Sequence, residues 1–71
     1  TLLNMNNAHA IQNFLFHARM LRNEGKGLTV KRDTFGGCTE LRATQDGTSD
    51  STVLYMSRGN MTSTVTFTRA R

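Results

Sequence analysis

The residues with a claim on chemistry are few: one cysteine, two histidines, five acids and nine lysines or arginines in a chain of 71. Cys38 would act as a nucleophile only with an imidazole to take its proton and a third group to orient that base. His9 and His17 are the imidazoles on offer, but Cys38 stands in an alternating stretch behind Gly36-Gly37, where a lone cysteine reads as a small packing residue. His9 and His17 are eight positions apart on one helix, so they fall on adjacent faces and cannot share a metal as an i, i+4 pair does. Asp33, Asp46 and Asp50 sit among turn residues, where an Asp carboxylate bonds its own backbone. Nothing pairs them as acid and base. Gly36-Gly37 lacks the Lys-Ser/Thr that would make it a phosphate loop. No catalytic set, metal site or cofactor is therefore expected, and an enzyme is the least favoured class.

Charge is the one global signal. Nine Lys and Arg against five Asp and Glu leave a net charge of +4 and a sequence pI near 10.3. Lys31, Arg32, Arg42, Arg58, Arg69 and Arg71 lie in the strand half of the chain, after Gly27. Of these, Lys31, Arg32, Arg42, Arg58 and Arg69 are the candidate contacts to a phosphate backbone, in DNA or RNA, through a basic sheet end. A charge of this size also serves solubility alone.

These side chains need elements to hold them. From Asn6 to Glu24 the sequence carries an amphipathic helix, with Ile11, Phe14, Leu15, Ala18 and Leu21 in one stripe at i, i+3, i+4 and i+7 spacing, extended upstream by Ala8. Asn6 or Asn7 supplies an N-cap and Gly25 and Gly27 the stop. Phe16 and Met20 share the opposite side, pointing away from that core.

After Gly27 the period changes from 3.6 to 2, which predicts strands. Leu28–Arg32 is the first, residues 33–37 form a turn, and Cys38–Thr44 is the second. The polar segment 45–50 reads as the most mobile loop. The third strand, 51–58, has apolar groups on both sides; Val53 and Tyr55 are assigned to the helix side, and Leu54 and Met56 to the outer face. After a Gly59-Asn60 turn, the fourth strand runs from Met61 to Thr68, with Met61, Ser63, Val65 and Phe67 inward and Thr62, Thr64, Thr66 and Thr68 outward. The expected fold is thus α+β: one N-terminal helix packed on an antiparallel meander of three or four strands. Residues 1–5 read as a disordered or tag-derived tail, with Met5 a plausible native start, and residues 6–71 as a single domain.

The order helix, strand, strand, strand resembles the first part of a double-stranded-RNA-binding domain, and Ser57-Arg58-Gly59-Asn60 resembles the Arg-Gly turn of Sm-like RNA-binding subunits. The first family closes with a second helix where this chain has a threonine-rich strand. The second needs a further strand after Asp46. Neither family is assigned.

Two functional classes follow. One is a small basic accessory or regulatory protein binding nucleic acid. The other is a protein-binding module or inhibitor, of the compact phage-encoded kind, that uses Phe16 and Met20 or Leu54 and Met56 as anchors. A chain this short stabilises a single core only marginally, and apolar residues left outside that core suggest a homodimer. A lone cysteine and the lack of a roughly 20-residue apolar run point to a cytoplasmic location with no membrane partner.

Overall fold

A computed structural model describes residues 5–59 and 62–70. A short strand β1 (Met5–Asn6) leads into helix α1 (Asn7–Asn23), and four longer strands follow: β2 (Leu28–Phe35), β3 (Cys38–Gln45), β4 (Ser51–Ser57) and β5 (Thr62–Thr68). The sheet order is β1-β5-β4-β3-β2, and each neighbouring pair is antiparallel. The fold is therefore the expected α+β meander with a helix across one face. Met5 and Asn6, read from sequence as tail and helix start, instead pair with Ser63 and Thr62. Residues 1–4, Asn60, Met61 and Arg71 lie outside the described residues.

The helix sits closest to β4 and β5 and only touches β2. Ala10, Phe14, Ala18 and Leu21 are its buried residues. The two alanines let the helix axis come near the sheet, and Phe14 and Leu21 fill the space beside them. The predicted stripe is thus rotated: Phe14, Ala18 and Leu21 face inward, Ala10 joins them, and Ile11 and Leu15 move to the flank at 39% and 43% exposure. On the sheet, Ala43 and Leu54 complete the core, with Leu28, Leu41, Met56 and Val65 packed against it.

The expected faces of β4 are reversed. Leu54 pairs with Leu41 on one side and Val65 on the other, and directly opposed residues in an antiparallel sheet share a face. Leu54 is 1% exposed, beneath the helix with Met56, while Val53 and Tyr55 face outward. With apolar residues at four successive positions, the alternation within β4 was ambiguous, and its neighbours decided it. The β5 assignment stands, with Ser63 buried and Val65 packed on the core.

The hairpin joining β2 and β3 is tighter than expected. Gly36 and Gly37 have φ of 55° and 77°, the left-handed pair that a two-residue turn requires. Pairing therefore continues to Phe35↔Cys38, and Asp33, Thr34 and Phe35 are strand residues rather than turn.

Candidate functional site

Because α1 covers β4 and β5 and reaches only as far as β3, where Ala43 and Gln45 are buried, the helix-side surface of β2 is left open. The β2 residues on that side are Leu28, Val30 and Arg32, placed there by their pairing with Gln45, Ala43 and Leu41. Val30 is 56% exposed. The facing flank of α1 carries Ile11 and Leu15, then Arg19 and Arg22 within the next two turns. Together they form a groove lined by Leu15, Ala18, Arg19, Arg22 and Leu28. A second depression over Gln12, Leu15, Phe16 and Arg19 continues it across the top of the helix. The floor is apolar and the rim cationic.

The five acids are committed elsewhere. A polar clasp closes the C-terminal end of α1. Gln45, 1% exposed, donates from Nε2 to the Leu21 carbonyl at 3.2 Å and to Glu24 Oε1 at 2.7 Å. Arg69 donates to both Glu24 oxygens and lies 3.4 Å from Asp50, and the Ala70 amide donates to Asp50 at 2.8 Å. The Arg69 hydrogen bond, then that from Gln45, holds the Glu24 carboxyl below its ordinary value. Asp46 accepts from Thr29 at 2.6 Å, and its amide donates to the Gly27 carbonyl at 3.0 Å. The segment expected to be the most mobile loop is instead pinned to β2, the helix end and the C-terminal residues. Gln45 itself belongs to β3 rather than to that loop.

Asp33 and Glu40 lie on the outer face of the sheet, which is ordered in rows. One row is Phe35, Cys38 and Ser57; the next is Asp33, Glu40, Tyr55 and Thr64; the third is Lys31, Arg42, Val53 and Thr66. Two cations thus sit beside two anions, and Arg42 reaches Glu40 at 3.6 Å. Phe35 and Tyr55 meet edge to face with centroids 6.1 Å apart, an aromatic pair hidden in the sequence because Phe35 was read as turn. A concavity at the other end is lined in part by Thr29, Lys31, Arg42 and Thr44. Cys38 contacts Ser57 Oγ and the Gly36 carbonyl, each at 3.8 Å. The Tyr55 hydroxyl is pushed above its ordinary pKa first by its hydrogen bond with Cys38, then by desolvation. His17 is on the opposite side of the sheet, stacked on Phe67 at 4.3 Å. Cys38 therefore has no imidazole beside it among the described residues, and no group of three metal-ligating side chains occurs among them.

The five sequence-nominated cations do not meet on one surface. Lys31 and Arg42 are neighbours on the outer face; Arg32 is on the helix side of β2; Arg58 is in the turn after β4, its amide bonded to the Gly37 carbonyl; Arg69 is held by Glu24 and Asp50. The nominated protein anchors also part company. Phe16 is 65% exposed on top of the helix, Met20 is half-buried on the flank away from the groove, and Leu54 and Met56 belong to the core. Leu54 and Met56 are corrected accordingly: Leu54 is buried under α1 and Met56 is half-buried against the same core, so they do not form an outer-face contact. The residues that sequence reasoning missed are Leu15, placed in the core stripe but 43% exposed, and Val30, 56% exposed on β2; Leu28 is half-buried against the core. Arg19 and Arg22 were left unremarked; their spacing from Leu15, at i+4 and i+7, was the available signal. No helix among the described residues is long and apolar enough to cross a membrane. No family model, curated protein or solved structure matches this chain.

Proposed function

We propose that this chain is a small non-enzymatic binding module whose partner is a protein, received in the groove between α1 and β2. The observation that carries this reading is the incompletely covered sheet: Leu15 lines the groove at 43% exposure opposite Leu28, and Val30, on the same face of β2 as Leu28, is 56% exposed. Scattered apolar residues on a surface need no explanation, but a contiguous patch rimmed by charge is typical of an interface. The homodimer expected from sequence loses its proposed contact, since Leu54 and Met56 are inside.

A second reading, single-stranded nucleic acid on the outer face, is favoured by Lys31 beside Arg42 and by the Phe35–Tyr55 pair. Asp33 and Glu40 in the adjacent row weaken it, because they repel the phosphates the cations would attract. A photo-crosslinking residue at Val30, and separately at Thr66, distinguishes the two in cells making the chain. The groove reading expects an adduct at Val30 that protease removes and nuclease leaves intact. A nuclease-sensitive adduct at Thr66, with none at Val30, would overturn it.

A further inference from the structure

Resting on that reading of the groove, we infer that its occupant is one amphipathic helix of a partner protein, apolar on one side and acidic along its edges. The size of the opening points to a helix. Strands lie about 4.8 Å apart and helices pack about 8–10 Å apart, so each helix covers about two strands. The long strands number four; α1 lies over β4 and β5 and also buries Ala43 and Gln45 of β3, which leaves β2 and its outer edge for one more helix beside it. An eight-residue strand is about 26 Å long at about 3.3 Å per residue. A helix of roughly 17 residues at 1.5 Å each matches it. The floor such a helix would meet is Leu28 and Val30 below and Leu15 to the side.

The charges select the partner's chemistry. Arg19, Arg22 and Arg32 border this opening, and they form no ion pair among the described residues. None of the chain's five acids faces it: Glu24 and Asp50 are held by Arg69, Asp46 by Thr29, and Asp33 and Glu40 lie on the outer face. A second copy is a poor occupant, because its own helix is committed to its own β4 and β5. Two copies apposed through this face would also bring Arg19, Arg22 and Arg32 towards their equivalents. A helix flanked by Glu and Asp meets the same arginines favourably. Such a helix would lie antiparallel or parallel to α1, with leucine-sized side chains at i, i+3, i+4 and i+7 entering between Leu15 and Val30.

The test uses two fluorescein-labelled peptides of about 17 residues, each with leucine at that helical spacing. One carries glutamate at its remaining charged positions, and its twin carries lysine. Anisotropy with the whole chain should show the glutamate peptide binding roughly tenfold or more tighter than the lysine twin, with the preference shrinking as salt rises. Amide shifts should fall on Leu15, Arg19, Leu28 and Val30. The double variant Arg19→Glu/Arg22→Glu should invert the preference, and Val30→Ser should weaken both peptides together. Arg19 and Arg22 are exposed and form no ion pair among the described residues, and circular dichroism of the double variant verifies that it folds. Equal binding of the twins at the same residues would overturn the acidic chemistry and leave the groove reading in place. Binding of neither would overturn this inference, while the Val30 crosslink would still decide the groove reading independently. A random-sequence RNA shifting these amides, or a dimer that protects them, would overturn it in favour of those occupants.

Discussion

The covered and uncovered halves of one sheet face differ in how their apolar residues are used. Under α1, Ala10, Phe14 and Ala18 close on Leu54 of β4 and Ala43 of β3, with Val65 packed against them. Over β2, Leu28 and Val30 meet only the flank of the same helix, and Arg19 and Arg22 stand where a core would place apolar groups. The halves are built from the same residue types, so composition does not separate them. What separates them is that one helix is about two strands wide. With four long strands and a single helix, β2 is the strand whose apolar face stays exposed, with Val30 at 56%.

The sharpest way to break this contrast is a pair of identical truncations. Leu54→Ala removes a side chain that is 1% exposed and should cost about 2–5 kcal/mol, a large part of the stability of so small a domain. At about 4–8 °C per kcal/mol, its melting point should collapse or the chain should be unfolded at room temperature. Leu15→Ala, from a position 43% exposed, should cost about 1 kcal/mol or less. Similar melting points for the two variants would mean that the halves are not different.

The polar clasp is the next largest effect, and its signature is pH dependence. The Glu24 carboxyl is held below its usual 4.5, first by Arg69 and then by Gln45. A group with a depressed folded pKa adds stability above its unfolded pKa and loses it as pH falls through the folded value. The melting point should therefore fall on acidification below about pH 5, and Arg69→Ala should flatten that fall while also lowering the neutral-pH melting point. Parallel acid profiles for wild type and Arg69→Ala would show that the clasp contributes nothing through Glu24.

Thr52→Val is expected to have the smallest effect and the opposite sign. Thr52 is fully buried in the covered half, and its Oγ1 has no hydrogen-bond partner among the described residues. Replacing the hydroxyl with a methyl of similar shape should raise stability by about 1 kcal/mol. A loss of stability on differential calorimetry would reveal a bond that the hydroxyl makes.

Much of this fold was legible in the sequence, because the periods of 3.6 and 2 are strong and Gly25 and Gly27 mark the change between them. The α+β class and the meander followed from that. The faces were harder. Ile11 and Leu15 looked like core residues, since a helical wheel reports hydrophobicity and cannot show that the helix turns Ala10, on the far side of Phe14, into the sheet and Leu15 out of it. Val53, Leu54, Tyr55 and Met56 were equally apolar on either face, and only pairing with Leu41 and Val65 turned Leu54 inward. Gly36-Gly37 held a signal that was passed over: two adjacent glycines suit a two-residue turn, which extends β2 to Phe35. The groove depends on the rotation of α1 that puts Leu15 on its flank, and no single stretch contains it. Its walls come from α1 and β2, and its existence from what α1 fails to reach.

Whether the β2 half is open can be measured on the free chain by methyl relaxation with a soluble gadolinium chelate, repeated across protein concentration. The methyls of Leu15, Leu28 and Val30 should broaden strongly at every concentration, while those of Leu21 and Leu54 stay sharp. Protection of Val30 to the level of Leu54 would contradict an open groove: at all concentrations it would place α1 over β2, and only at high concentration it would place a second copy there.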